Sequence, residues 1–217
     1  MIDLARRFGA LLVVVAVAGC FRGKLPARQF YRLTTVVDST ASSASAQNAP
    51  LAGSLAIMSY ETPGIYGSGS IVYRAGEAAY GAYPSREWAI PLGDMLGTMT
   101  EMSMRRSGFT SARATTHSGS ARRDQYEWRG GVREFDEVDT PTSVSASVAL
   151  SAQLVRVADD SVVWSGTARE TQPVRASRSM DSVIEALSIS ASRAISRLTD
   201  DAASALRRLT AAGAQGR

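Results

Sequence analysis

Residues 144–154 read Val-Ser-Ala-Ser-Val-Ala-Leu-Ser-Ala-Gln-Leu, and this stretch decides the fold. Apolar side chains recur at every second position, and mostly serine and glutamine stand between them. Strict alternation of this kind is typical of a strand that buries one face and exposes the other. After the turn at 158–160, Val162 and Trp164 continue the alternation. The sequence therefore predicts a long antiparallel hairpin over 144–169.

Two segments have the periodicity of amphipathic helices. The first begins at Pro91, which suits a first helical turn because proline lacks an N–H group, and it ends before Gly108, a left-handed cap. The second covers 183–209, where apolar residues are spaced by threes and fours, and Ser182 with Glu185 predicts its capping box. The apolar stripe of the first helix comprises Leu92, Met95, Leu96, Met99 and Met102, and it excludes Met104, which we expect to be exposed.

Shorter segments rich in β-branched and aromatic residues predict the remaining strands. They lie at 29–37, 54–60, 70–74, 78–83, 109–114 and 125–138. In the last of these, a bulge near Gly130 and Gly131 explains why Trp128 and Phe135 differ in parity. The order of strands, helix, strands and helix predicts an α+β fold. We expect a single, mainly antiparallel sheet of about seven strands with two long helices packed on one face.

The N-terminus has the pattern of a lipidation signal. Arg6 and Arg7 precede an apolar run at 11–17 that is too short to span a bilayer. The lipobox residues Val17, Ala18 and Gly19 then lead to Cys20, the only cysteine in the chain. Small residues at 18 and 19 fit a signal peptidase, and the thiol of Cys20 takes a diacylglyceryl group. An ordinary signal peptide or a short membrane anchor is the alternative, and both Sec and twin-arginine export remain open.

The cleavage site before Cys20 and the composition of the chain after it predict four parts. We expect a signal peptide at 1–19, a lipidated N-terminus and tether at 20–28, one folded domain at 29–210 and a disordered tail at 211–217. Two or three acyl chains give stable anchoring, and the tether spans roughly 30 Å. Phe21 stands where an aspartate would favour the inner membrane. These features predict a protein lipid-anchored at the periplasmic face of the outer membrane, with the inner membrane less favoured.

Composition argues against several classes of function. The formal charge of +4 falls to +3 without residues 1–19, which is too small and diffuse for nucleic-acid binding. His117 is the only histidine, in a polar run that predicts a solvated loop. The carboxylates at 134–139 fit no calcium loop and predict the charged end of a strand. We find no catalytic constellation, metal cluster or cofactor motif, so binding or assembly is the leading class.

The remaining motifs follow one another in a specific order. After the lipobox come Phe30-Tyr31-Arg32-Leu33, Gly69-Ser70-Ile71-Val72-Tyr73-Arg74 and Arg86-Glu87-Trp88-Ala89-Ile90-Pro91, then Phe135, the strand at 144–155, Val163-Trp164 and an alanine-rich helix. This set resembles the ABC-type transport auxiliary lipoprotein family, which includes the lipoprotein partner of paraquat-inducible MCE systems. The resemblance covers nearly the whole chain, except the loops at 38–53 and 113–124.

The resemblance implies a non-enzymatic auxiliary component of an MCE/ABC-type transporter that moves phospholipids across the envelope. Its expected partners are an MCE-domain protein with its permease and ATPase, and the membrane through the N-terminal lipid. Phospholipid cargo and a homo-oligomer remain open. Arg86 and Trp88 are the candidate partner-binding residues, although a packed tryptophan and a hydrogen-bonded arginine would serve the fold alone. The alternatives are an assembly lipoprotein that binds a β-barrel and an anchored hydrolase that uses Glu134 and Asp136.

Overall fold

The computed structural model describes residues 27–35, 50–76, 78–110, 114–117, 125–175 and 179–215. These residues form one eight-stranded sheet and a layer of helices. The strands are β1 (Gln29–Tyr31), β2 (Leu55–Met58), β3 (Ser70–Ala75), β4 (Ala79–Trp88), β5 (Ala114–His117), β6 (Tyr126–Asp139), β7 (Val144–Arg156) and β8 (Ser161–Pro173). The helices are α1 (Leu92–Ser107), α2 (Met180–Gln215) and a short 3₁₀ helix, Gly64–Ser68.

Strand β6 organises the sheet. One of its edges pairs with β7 in antiparallel register from Tyr126 to Asp139. Its other edge is shared, because β2 pairs in parallel with the first part of β6 and β3 pairs in parallel with the last part. Beyond β2 lies β5, and beyond β3 lie β4 and then β1.

The sheet is mixed, so the prediction of a mainly antiparallel sheet is matched only in part. The pairs β3–β4, β6–β7 and β7–β8 are antiparallel, whereas β1–β4, β2–β5, β2–β6 and β3–β6 are parallel. The physical reason lies in residues 59–69, which continue along β6 without reversing, as the parallel bridge between Glu61 and Gly131 shows. Alternation in a sequence identifies a strand but does not encode the direction of its neighbour.

The predicted hairpin is confirmed and forms the centre of the core. β7 and β8 pair from Ser145–Pro173 to Arg156–Ser161. The alternate residues Ala146, Val148, Leu150, Ala152 and Leu154 are buried. Trp164 stacks on Trp128 with ring centroids 5.3 Å apart, and Phe109 meets Trp128 edge-on at 6.2 Å. These large rings contribute most of the apolar area at this end of the core.

Both helices pack on the sheet face that carries Trp128 and Leu150. Helix α2 contacts β6, β7, β8 and α1, and α1 contacts β2, β5, β6 and α2. Arg197 of α2 pairs with Glu170 of β8 at 2.8 Å, which ties the helix to the outer strand. Tyr60 lies between α1 and the sheet, where its hydroxyl bonds Thr100 at 2.8 Å. The described part of the chain therefore has two layers around one core.

Three local details differ from the sequence predictions. Met104 is fully buried and Met102 is 44 % exposed, because the last turn of α1 is covered by the chain that returns through Phe109, whose N–H donates to the Met104 carbonyl. Ser179, not Ser182, caps α2, accepting a hydrogen bond from the Ser182 N–H at 3.3 Å. The bulge of β6 lies between Val132 and Glu134. Its extra residue produces the difference in parity between Trp128 and Phe135 from which the sequence predicted a bulge near Gly130 and Gly131.

Candidate partner-binding corner

Three motifs that are distant in the sequence meet at one corner of the sheet. In β1, Tyr31 stands opposite Trp88 of β4. The Trp88 N–H donates to the Gly69 carbonyl at 2.8 Å, and the Ala89 N–H donates to the Tyr31 carbonyl at 2.7 Å. We name this region, which comprises β1, Gly69 and residues 86–91, the β1–β4 corner. Its backbone joins three of the stretches on which the family resemblance rests.

Trp88 lies on the inner side of this corner. Its side chain is 7 % exposed and meets the ring of Phe135 edge-on, with centroids 5.9 Å apart. It stands three residues before Pro91, the N-cap of α1, whose carbonyl accepts the N–H groups of Asp94 and Met95. Trp88 therefore fixes the direction in which α1 leaves the sheet. A contact between Trp88 and a partner remains a prediction.

Arg86 connects β4 to β1 through side chains. One of its terminal nitrogens donates to Gln29 Oε1 at 2.8 Å and to the Tyr31 hydroxyl at 2.7 Å. The Tyr31 hydroxyl in turn donates to Gln29 Oε1 at 2.8 Å. These side-chain hydrogen bonds add to the backbone pairing that holds the three residues of β1 against β4. The sequence identified Arg86, but it gave no signal for Gln29 as its partner because the two lie 57 positions apart.

The carboxylates at 134–139 lie at the end of β6, as predicted, and Asp136 and Glu137 are buried there while Glu134 and Asp139 are half-buried. Asp136 is fully buried on the sheet face opposite α1 and α2, where it accepts hydrogen bonds from the Tyr66 hydroxyl at 2.8 Å and from Arg74 Nε at 3.1 Å. Burial raises the pKa of Asp136 above its usual value, against the opposing effects of Tyr66 and Arg74. Burial and the bond to Asp136 also raise the pKa of Tyr66. Tyr66 thereby fastens the 3₁₀ helix to the sheet.

The neighbouring carboxylates have separate partners. Arg169 of β8 binds both oxygens of Glu134, at 2.7 and 2.6 Å. Glu137 points to the opposite face of β6 and accepts a hydrogen bond from the Tyr83 hydroxyl at 2.6 Å. Paired acids that catalyse glycoside hydrolysis flank an open substrate cleft. Glu134 and Asp136 instead bind arginine and tyrosine side chains of the same sheet face.

A shallow groove of about 420 Å³ lies over β6, β7 and β8, on the sheet face opposite α1 and α2. Ser151, Ser165 and Thr167 contribute to its lining, between Arg129 and Arg133. Arg129 pairs with Glu127 and Asp160 at 2.8 Å, and Arg133 donates to Ser151 at 3.1 Å. A largely polar lining of this kind does not offer the apolar surface that acyl chains need.

Several predicted features lie elsewhere. Val17, Ala18, Gly19 and Cys20 are outside the described residues. His117 belongs to β5, where it stands opposite Met58, so the backbone at this position is a strand rather than the predicted loop. Among the described residues there is no group of three or more histidine, cysteine or acidic residues that could hold a metal ion. The described helices include none that is long and apolar enough to cross a membrane.

The fold places the chain among two-layer α+β domains in which a mixed sheet carries two helices on one face. No protein-family model matches the sequence. No curated protein matches it significantly. Similarity to other proteins is therefore found by comparison with solved structures.

The same fold occurs in a Xanthomonas campestris protein of the family DUF330, with a TM-score of 0.69 and 20% identity over 84% of this chain and 98% of that one. An uncharacterized protein has a TM-score of 0.57 and 12% identity over 84% of this chain and 99% of its own. A lipoprotein of Neisseria meningitidis is more remote, with a TM-score of 0.34 and 9% identity over 61% of this chain and 90% of its own. At these identities the first two likenesses show the fold alone, and the third carries no argument.

Proposed function

We propose that this protein is a lipid-anchored, non-enzymatic auxiliary component of an MCE/ABC-type transport system that moves phospholipids or related molecules across the cell envelope. Its anchor is Cys20, at the periplasmic face of the outer membrane. Its partners are an MCE-domain protein and, through it, the permease and ATPase that supply energy. The convergence of three motifs at the β1–β4 corner carries this proposal, because three stretches that resemble the family, although distant in the sequence, meet in one structural unit.

Two observations support a docking role over a role in enclosing cargo. The cavity between α1 and α2 beside Met99 and Ile195 measures about 20 Å³. A volume of this kind has room for about one water molecule and not for an acyl chain. The larger groove is mainly polar. The chain would then hold the transporter at the membrane and leave the lipid path to its partner.

Affinity capture from crosslinked envelopes tests this proposal. The tagged native chain is expected to recover an MCE-domain protein with its permease and ATPase, identified by mass spectrometry. Recovery of a β-barrel protein without MCE or ABC components would contradict the proposal and favour the assembly-lipoprotein alternative. Capture of the Cys20→Ala variant from the same cells is the control for the anchor, because that variant lacks the lipidated thiol but keeps the folded domain.

Arg86 offers a sharper test of the corner itself. Arg86→Ala removes the hydrogen bonds to Gln29 and Tyr31 and should loosen β1, so we expect severalfold lower recovery of the MCE-domain protein. Arg129→Ala is the matched control, because Arg129 also binds two side chains on the sheet but lies at the groove. Equal recovery with native, Arg86→Ala and Arg129→Ala chains would show that the partner docks on another surface.

A further inference from the structure

We infer that the outer surface of the β1–β4 corner rests on the lipid bilayer, with Phe30 and Ile90 in the interface and Arg28 and Arg32 against anionic headgroups. This inference rests on the proposed anchor at Cys20. It adds an orientation of the domain on the bilayer, because the corner that follows the tether in the sequence also contacts the membrane. The occupant of this outer surface is the membrane. Arg86 lies on the other side of the corner, because Phe30 pairs with Glu87 and side chains alternate along a strand, and that side is left for the partner.

The first argument is the exposure of apolar side chains at this corner. Phe30 is 60 % exposed and Ile90 is 49 % exposed, although most large apolar residues of the described chain are buried. Phe30 belongs to β1, and Ile90 directly follows Ala89, whose N–H donates to the Tyr31 carbonyl at 2.7 Å. The two exposed side chains therefore lie on adjacent segments. Exposed aromatic and aliphatic residues of this kind can insert into a headgroup region.

The second argument is the charge of the chain that leads into the corner. Arg22, Lys24, Arg28 and Arg32 lie between Cys20 and Leu33, and no acidic residue lies among them. Arg28 has 70 % of its side chain exposed and contacts Glu87 only at 3.5 Å. Clusters of four or more basic residues next to a membrane attachment are typical of segments that bind anionic lipid.

The third argument is the short length of chain between Phe30 and the lipidated residue Cys20. Phe30 lies ten residues after Cys20, so it stays within about 33 Å of the acylated residue even when the chain is fully extended. Other exposed apolar residues, such as Val162 and Leu209, lie far along the sequence at the β7–β8 turn and the end of α2. An acyl anchor holds the corner near the bilayer and makes insertion effectively intramolecular.

Spin labels on single cysteines test this orientation. In the lipidated chain Cys20 carries the lipid, so Phe30→Cys, Ile90→Cys and Val162→Cys each provide one free thiol. Val162 is the matched control because it is 53 % exposed but lies at the β7–β8 hairpin end. The labelled chains are placed in vesicles of phosphatidylethanolamine and phosphatidylglycerol. We expect labels at 30 and 90 to lose most collisions with a water-soluble paramagnetic reagent and to gain collisions with oxygen, whereas the label at 162 stays aqueous.

Charge variants test the headgroup contact in the same vesicles. Arg28→Gln with Arg32→Gln should reduce the immersion of a label at 90, and Arg207→Gln with Arg208→Gln, on the exposed end of α2, should not. Labels at 30 and 90 that remain as aqueous as the label at 162, on a chain whose mass shows the lipid at Cys20, would overturn this inference while leaving the proposed function intact. Absence of lipid at Cys20 would overturn both.

Discussion

Trp88 shows how one side chain links the motif to the fold. Its ring is nearly buried, it packs edge-on against Phe135, and its backbone N–H donates to the carbonyl of Gly69, the residue before β3. Aromatic pairs of this geometry stabilise a core beyond the area that they bury. The sequence identified this residue correctly as a packing position at the start of the helix.

Trp88→Ala should therefore lower the free energy of unfolding by about 3–5 kcal/mol, because it leaves a cavity beside Phe135. Urea unfolding followed by circular dichroism measures the change. Tyr80→Ala serves as the control, since Tyr80 is 47 % exposed and should change stability far less. Equal unfolding midpoints for Trp88→Ala and the native chain would refute the structural role and favour a surface role.

Asp136 is the residue for which the sequence and the structure disagree most. The four acidic residues at 134–139 predicted the charged end of a strand, which β6 provides, but they gave no sign that Asp136 is buried there. The 3₁₀ helix covers the position instead, and Tyr66 and Arg74 satisfy its two oxygens. Tyr66 stands 70 positions earlier in the chain, so no local pattern could pair it with Asp136.

Tyr66→Phe tests this buried bond through its pH dependence. Because burial raises the pKa of Asp136, the folded chain binds this proton more tightly than the unfolded chain. The contribution of Asp136 to stability thus falls as pH rises through its folded-state pKa. The hydroxyl of Tyr66 stabilises the ionised carboxylate, so its loss should cost about 1.5–3 kcal/mol near neutral pH and less in acid, where Asp136 is protonated.

Urea unfolding at about pH 7 and about pH 4 measures this difference. Tyr80→Phe is the control, since it removes a hydroxyl but keeps the ring that packs 5.8 Å from the Arg74 guanidinium. A Tyr66→Phe penalty that is the same at both pH values would contradict the account of Asp136.

At the scale of elements, helix α1 depends on a close approach of backbones. Gly93 lies in its first turn, where a Cβ atom would stand 2.2 Å from the carbonyl oxygen of Tyr60. The Gly93 carbonyl also accepts the Tyr60 N–H at 3.1 Å. The connector after β2 therefore packs directly against the start of the helix.

Gly93→Ala should lower the free energy of unfolding by about 1–3 kcal/mol, because backbone atoms must move to admit the methyl group. Thr98→Ala is the control within the same helix, since Thr98 is exposed. Thermal unfolding of both variants measures the effect. A Gly93→Ala chain that unfolds at the native temperature would show that the helix and the connector are not held so closely.

Elements with strong periodicity were predictable, and elements made by distant pairing were not. The alternation at 144–154 and the Pro91 and Gly108 boundaries of α1 predicted β7 and the first helix correctly. Of the strand expected at 109–114, Ala114 belongs to β5 and Thr110 forms an isolated bridge, while 111–113 lie outside the described residues. Of the strand expected at 29–37, three of the described residues, Gln29–Tyr31, form β1. After β1, the N–H groups of Leu33 and Thr34 bond Met95 and Ser188 of the helices, so they leave the sheet. The helix α2 extends to Gln215, into the segment at 211–217 predicted as a disordered tail.

At the scale of the whole molecule, the chain is arranged around one corner. The tether enters at β1, the family-like motifs meet there, and α1 starts from the same place. The β7–β8 hairpin, with the polar groove beside it, forms the opposite edge of the sheet. Under the proposed function, the outer surface of this corner is the membrane-proximal part of the domain, and the side that carries Arg86 is left for a partner. The sequence predicts the anchor and the motifs, and the pairings of β1 and β3 with β4 bring three of the motifs together.

The anchor at Cys20 is the claim on which the location, the partner and the membrane contact all depend. The most direct test is intact-mass analysis of the purified mature chain, together with density fractionation of envelopes from cells that produce the native or the Cys20→Ala chain. We expect the native chain to begin at Cys20, to carry diacylglyceryl mass and to fractionate with outer membranes, and the variant to lose both properties. A native chain without lipid mass, or a Cys20→Ala chain that still fractionates with outer membranes, would contradict the account.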